Sequence, residues 1–285
     1  MMEFPKFFYI PLDKWMDAAV EWLTINLDAF FDVIGSILLA PMVQFERLLL
    51  WLPWFVIIIL VAGLAWKMKG WKFAVSTAIG LIFIGSLGLW VAAMKTLAIV
   101  LAATLLAIII GVPIGIAMAQ SDRFKGVIRP ILDMMQTMPS FVYLIPALMF
   151  FGLGKVPALI SVLIYSIPPA IRLTDLGIRQ VSGDVIEAAK AFGTTSRQLL
   201  LKVQIPLATP TIMAGVNQTI MMALAMVVVA SMIGAGGLGS EVLNGIARLE
   251  VGRGFNGGIS IVIMAIIIDR LTQSLAKPSK AMSAD

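Results

Sequence analysis

The chain carries neither cysteine nor histidine among its 285 residues, so the side chains that form disulfides, hold metals through sulfur or imidazole, or pair with serine and thiol nucleophiles are missing. Most hydrolytic chemistry is excluded with them. No G-x-x-x-x-G-K-[ST] run occurs either, so the chain offers no phosphate cradle of that type. What stands out is a polar stretch between two apolar runs, "DVIEAAKAFGTTSRQLLLKVQIP", from Asp184 to Pro206. Its residues suit helix ends and protein contacts. Asp184 followed three residues later by Glu187 makes a capping-box-like start, with the Asp carboxylate accepting from first-turn N–H groups. Ala188, Ala189 and Ala191 favour a helix, Glu187 reaches Lys190 across one turn, and Gly193 is placed to end it in a left-handed conformation. Thr195 with Gln198 offers a second cap, for a helix running through "SRQLLLKVQ" until Pro206 stops it. The spacing predicts two short helices forming an elbow, although an ordinary connecting hairpin satisfies the same caps.

Other candidate residues fall outside that stretch. Gly234, Gly236 and Gly239 satisfy G-x-G-x-x-G, but the run follows an apolar span rather than a strand and opens no βαβ unit, which removes the context of a dinucleotide site. "GAGGLGSEVLNGIARLEVGRGFNGG", which includes Gly237, reads instead as a compact loop with Ser240 capping a short helix through about Arg248. It serves as a docking surface or as a plain connection. Met134, Met135 and Met138 cluster in one apolar run, and Met222 and Met226 lie in another. Flexible thioethers either line a path that opens and closes or fill gaps in a core. Phe141 and Tyr143 offer aromatic faces to a cation or pack internally. Pro139, Pro146, Pro157, Pro168 and Pro169 are expected to break or kink the spans that hold them, which should then line the interior. Asp133 and Asp269 fall near the ends of apolar runs, where hydration is expected, and are not read as a proton relay.

The elements that must position these residues follow from composition. Hydrophobic residues make up 60% of the chain and charged ones 13%, and the mean hydropathy is +0.99. Apolar runs of roughly 20 residues recur, the length that crosses a bilayer as a helix, so the chain reads as an all-α polytopic membrane protein. About seven spans are expected, near 49–66, 71–91, 96–119, 130–151, 156–171, 207–233 and 258–275. Before them, Asp13 to about Gln44 shows helical periodicity with five acids, which reads as an amphipathic helix at the membrane surface or against the spans. A short extra span from about Phe30 to Val43 is the other reading. The N-terminus shows no signal-peptide pattern. With the N-terminus outside, fourteen of the 21 basic residues fall on inner segments, as the positive-inside tendency demands. The elbow is then cytoplasmic, and the net charge of +5 needs no nucleic-acid partner.

The order Glu187-Ala188-Ala189, Gly193, Val203, Ile205-Pro206 resembles the "EAA" signature of membrane subunits of ATP-binding-cassette importers, with Val203 and Ile205 in place of Ile and Leu. "LDMMQTMPSFVYLIPALMFFG", "IYSIPPAIRLTDLGIRQV" and "VVVASMIGAGGLGSEV" resemble the permease subunits of glycine betaine, proline betaine and choline importers. The likeness covers about residues 95 to 275, and the N-terminal third matches in general layout. It implies a type I (MetI-like) transmembrane domain in a bacterial or archaeal cytoplasmic membrane. By this resemblance residues 1–48 are an interfacial region, 49–91 two peripheral spans, 92–276 the importer core with a coupling loop at 172–206, and 277–285 a cytoplasmic tail. It implies a homodimer with two ATPase subunits, which bind the ATP and Mg that this chain does not, and an extracytoplasmic binding protein docking on the outer loop at Gly234, Gly236, Gly237 and Gly239. Asp184, Glu187, Ala188, Ala189, Gly193 and Pro206 would couple to the ATPase. The path for a quaternary ammonium solute would run past Met134, Met135, Met138, Pro139, Phe141, Tyr143, Met222 and Met226. The same machine carrying an amino acid or sulfonate, and a lone ion-coupled carrier, are the competing readings. A carrier should show paired intramembrane charges and repeated broken helices, and neither is plain in the sequence.

Overall fold

The computed structural model describes residues 10–275, and among these the chain forms helices, turns and short connections without a strand. Among the described residues five helical segments are long and apolar enough to cross a bilayer, or six when one bent pair is taken as a single span. The helices are α1 Leu12–Asn26, α2 Asp28–Trp51, α3 Trp54–Lys69, α4 Trp71–Ser86, α5 Trp90–Gln120, α6 Asp122–Thr137 and α7 Leu144–Phe151. After them come α8 Lys155–Arg179, α9 Gly183–Ala191, α10 Ser196–Leu199, α11 Ile205–Ala230, α12 Gly237–Ala247 and α13 Val251–Leu275. The tail expected at 277–285 lies outside the described residues.

The core is built from α5, α8 and α11, and glycines let their backbones meet. A Cβ on Gly115 of α5 would stand 2.6 Å from the carbonyl oxygen of Ile171 in α8, and one on Gly215 of α11 would stand 3.0 Å from that of Pro169. Apolar attraction between helices is weak where lipid is equally apolar, so close contact of small residues supplies dispersion instead. Ile99, Ala103, Leu159, Val162, Ala223 and Val227 fill the space between these helices.

The peripheral helices join this core in two groups. α3 and α4, with 16 residues each, form a hairpin about Gly70, at φ 90°. They reach roughly 24 Å, shorter than the two spans expected at 49–66 and 71–91. Pro53 is the cause of the later start, because it holds Leu52 in an extended conformation (ψ 131°) and ends α2 there. Ile57, Ile84, Met94, Leu238 and Met264 pack this hairpin against α5, α12 and α13.

The expected amphipathic stretch divides at Leu27 into α1 and α2. α2 has the length and composition of a span. It also leans on α7 and α8. Phe31 stacks on Phe150 at 4.6 Å, and Glu46, almost buried, accepts from Lys155 at 2.6 Å.

The prolines act less uniformly than expected. The break comes at Met138–Pro139, where α6 and the segment Ser140–Phe151 meet at 111°, because Met138 before a proline leaves the helical region (ψ 136°). α8 runs unbroken through Pro168 and Pro169 to Arg179, eight residues past the expected end at 171. Pro146 and Pro157 sit in the first turns of α7 and α8, where a missing N–H costs nothing.

Candidate functional site

The elbow forms as a rigid double bend. α9 ends in the left-handed turn expected at Gly193, φ 76°. The N–H of Gly193 donates to Lys190 O at 2.9 Å and that of Thr194 to Ala189 O at 3.3 Å, the paired bonds of a Schellman motif. The Thr194 hydroxyl adds a bond to Ala189 O at 2.7 Å. Thr195 then caps α10 as expected: its Oγ1 accepts from the Gln198 N–H at 3.3 Å, and its own N–H donates to Gln198 Oε1 at 2.9 Å.

Three local expectations need correction. α9 begins at Gly183 with Ser182 at its cap, so Asp184 sits inside the first turn, where its charge favours the helix dipole without capping. Glu187 is exposed and forms no ion pair with Lys190 among the described residues. Pro206 does not stop the second helix. α10 passes through a π-turn at Leu200–Gln204 directly into α11, and Pro206 falls in the first turn of α11, where it has no needed donor to lose.

The elbow shows an uncovered outer face. Asp184, Glu187, Ala188 and Lys190 are exposed, and Phe192 at the tip is 90% exposed. At this exposure the Phe192 ring is almost entirely out of contact with the rest of the chain, so its burial adds little to the chain's own stability. Its inner side is anchored instead: Leu199 is buried, and a cavity of about 610 Å³ lined by Gln120, Ile178, Ser196, Leu199 and Gln204 separates α10 from the ends of α5 and α8.

Beside the elbow lies an ionic node. Asp175, buried on α8, accepts from Arg179 and from Lys125 at 2.7 Å each. Arg179 also holds Asp122 at 2.7 Å and donates to Met118 O at 2.6 Å, and Arg172 pairs with Asp133 at 2.5 Å. Asp133 is therefore one of the acids in a set of ion pairs joining α6 to α8, with α5 tied in through the Met118 carbonyl. The reading of the sequence missed this node. Its signal was present as Arg172, Asp175 and Arg179, which fall on one helical face at intervals of three and four. Asp269, expected to be hydrated, is half-buried and accepts from Asn217 and Gln273 at 2.8 Å, joining α13 to α11.

The Gly234–Gly239 run is only partly drawn inward: Gly237 and Gly239 are buried, Gly236 is half-buried and Gly234 is exposed. α12 starts at Gly237, three residues before Ser240, so Ser240 is inside the helix and caps nothing. Gly234, Gly236 and Gly237 take φ values of 97°, 73° and 74°, and the Leu238 N–H donates to Thr96 Oγ1 of α5 at 2.9 Å. Gly237 and Gly239 are buried, whereas Ile246, Leu249, Val251 and Phe255 around the α12–α13 turn are exposed. Among the expected path residues, Tyr143 and Met226 are core: the Tyr143 hydroxyl donates to Met135 O, its ring meets Tyr165 edge-on at 6.0 Å, and Met226 packs beside Ala223 and Val227. Met135, Met138 and Met222 are half-buried. Met134, Pro139 and Phe141 are exposed at the helix break, so the structure separates these residues into three sets.

Long apolar helices in glycine contact, one sharply bent helix pair and a stiff uncovered elbow define a polytopic helical membrane protein. A family model described as binding-protein-dependent transport system inner membrane component matches residues 111–277, and the chain belongs to that family. It is 50% identical over 272 residues to the glycine betaine/proline betaine transport system permease protein ProW of Escherichia coli (strain K12), covering 95% of this chain and 77% of that one. It is 49% identical to the glycine betaine/carnitine transport permease protein GbuB of Listeria monocytogenes serotype 1/2a (strain 10403S), over 95% of this chain and 98% of that one. The likeness thus extends into the N-terminal third, beyond general layout. A chain of the inward-facing MetNI methionine ABC transporter shares the fold, with TM-score 0.58 and 20% identity over 64% of this chain and 91% of that one.

Proposed function

We propose that this chain is the membrane-spanning permease subunit of an ATP-driven importer for glycine betaine or a related quaternary ammonium solute, and that the elbow couples it to a separate ATPase. The observation that carries the coupling role is the uncovered face of α9, stiffened by the Gly193 turn and tipped by Phe192. A partner groove supplies the contacts this face lacks. Asp184 and Glu187 give it negative charge for a basic groove wall, and Ala188 and Ala189 allow close approach. Because α10 continues through the π-turn into α11, a push on the elbow moves α11 as a lever. α11 meets α8 through glycine contacts, so its tilt changes the space between helices. ATP and Mg belong to the partner ATPase. Two copies of this chain with two ATPase subunits form the working unit, and an extracytoplasmic binding protein delivers the solute. The exposed α12–α13 turn around Leu249 and Phe255 suits that delivery contact better than the buried Gly237 and Gly239. Phe141, exposed at the break in the span, offers a ring face to a quaternary ammonium group.

Reconstitution tests the whole reading. Vesicles holding this chain with its ATPase, and its binding protein outside, are expected to accumulate glycine betaine against a gradient when ATP is inside. The chain alone should hydrolyse no ATP. Accumulation driven by an ion gradient without ATP would sink the proposal.

Orientation is tested separately, and the absence of cysteine makes the background clean. The N-terminus is placed outside and the elbow in the cytoplasm of a bacterial or archaeal cell. Leu249→Cys, at an 87% exposed site, should react with an impermeant thiol reagent in intact cells, and Ser196→Cys should react only after permeabilisation. The reverse pattern would invert the topology and remove the elbow from the ATP-bearing side.

A further inference from the structure

We propose that a cavity bounded by α5, α6 and α8, at the elbow end of the bundle, binds a phosphate-bearing anion supplied by the headgroup of an anionic phospholipid. The cavity measures about 390 Å³, and its polar lining is Lys125, Arg129, Arg172 and Asp175. Three cations therefore face one carboxylate. Asp175 is already engaged by Lys125 and Arg179 at 2.7 Å each, and Asp133, off the lining, holds a terminal nitrogen of Arg172. Two donor groups are left over. Nε of Arg172 is buried without a hydrogen-bond partner, and Arg129 makes no ion pair among the described residues. A buried N–H without an acceptor is costly enough that each case calls for a physical explanation. An oxyanion in the cavity supplies the missing acceptor, and guanidinium forks match phosphate oxygens well.

The walls select the source of the phosphate. Met118, Leu132, Leu173 and Leu176 complete the lining, and apolar surface of this kind gains nothing from a free inorganic ion. A phospholipid sets its glycerol and upper acyl carbons there and is stabilised by their burial. Basic pockets between membrane helices near the water boundary are where anionic headgroups lodge. The inference concerns neither the cargo nor the ATPase and stands apart from both.

The test uses the full-length chain in nanodiscs of phosphatidylcholine with or without phosphatidylglycerol, with retained lipid read by native mass spectrometry and stability by the thermal midpoint. Wild type is expected to retain phosphatidylglycerol in preference to phosphatidylcholine. Arg129→Gln, at an exposed position on α6, should hold it about tenfold more weakly through loss of one charge-assisted contact. Arg123→Gln, on the same helix but off the lining, should match wild type. Equal retention by Arg129→Gln and wild type would overturn the site. Inorganic phosphate added to phosphatidylcholine discs should leave the midpoint unchanged. A rise that Arg129→Gln abolishes would assign the cavity to free phosphate and overturn the lipid source.

Discussion

Gly193→Asp is expected to abolish solute uptake while the chain still inserts and accumulates at normal levels. The reason is local. Gly193 holds φ 76° in the Schellman turn that ends α9, and an L-residue in that conformation costs roughly 1–2 kcal/mol. No neighbour lies within 4 Å of a Cβ added there, so the lesion strains the turn and adds a charge without disturbing the core. The elbow should then lose its fixed angle, and the added carboxylate should face the same groove that receives Phe192. Glu187→Lys, on the exposed face of α9, should give the same phenotype by reversing the charge presented to the partner. Lys190→Gln is the milder comparison. The measurements are permease abundance, ATPase co-purification, and hydrolysis stimulated by the loaded binding protein. Full stimulated hydrolysis and uptake in both Gly193→Asp and Glu187→Lys would remove the elbow from the mechanism.

Gly115→Val should have the largest effect on the fold itself. A Cβ at this position meets the Ile171 carbonyl oxygen and the Thr174 Cβ at 2.6 Å, and the first of these is backbone that cannot rotate away. Overpacking commonly costs about 1–3 kcal/mol, and a rigid obstacle places this case at the upper end. α5 and α8 must separate, which also pulls at the Asp175 node one turn below Ile171. The expected result is a lowered thermal midpoint in detergent and a shift toward aggregate on size exclusion. Gly126→Ala provides the contrast: no atom lies within 4 Å of its Cβ site on α6, and alanine improves on glycine in a helix interior by about 1 kcal/mol. A Gly115→Val protein as stable as wild type would show that α5 and α8 do not depend on this contact.

Much of this protein is readable without coordinates, because its strongest signals are local. Apolar runs of spanning length announce themselves to any hydropathy count, and the spans expected at 96–119, 207–233 and 258–275 correspond to α5, α11 and α13. The Gly193 turn and the Thr195–Gln198 box were legible for the same reason, since each depends on residues within a turn of one another. The same locality explains the errors. Pro206 carries the ordinary signature of a helix stop, yet a π-turn shifts the register so that it lands in the first turn of α11, and no residue type announces a π-turn. Pro168 and Pro169 looked like a break, but α8 continues as one helix through them, packed closely against Gly111 of α5 and Gly215 of α11.

What the sequence by itself determined is the class of the molecule: a helical membrane chain without thiol or imidazole chemistry, bearing one stiff polar elbow. Only the tertiary structure decided which charged and aromatic residues stand together. It joined Lys125 to Asp175 across two helices, buried Tyr143 and Met226 while leaving Phe141 and Phe192 bare, and folded Gly237 against Thr96 of a distant span. The division has one physical cause. Caps, turns and hydropathy are settled by neighbours a few residues away, whereas burial and ion pairing depend on which faces of long helices meet, and in lipid that choice rests on where glycines allow two backbones to touch.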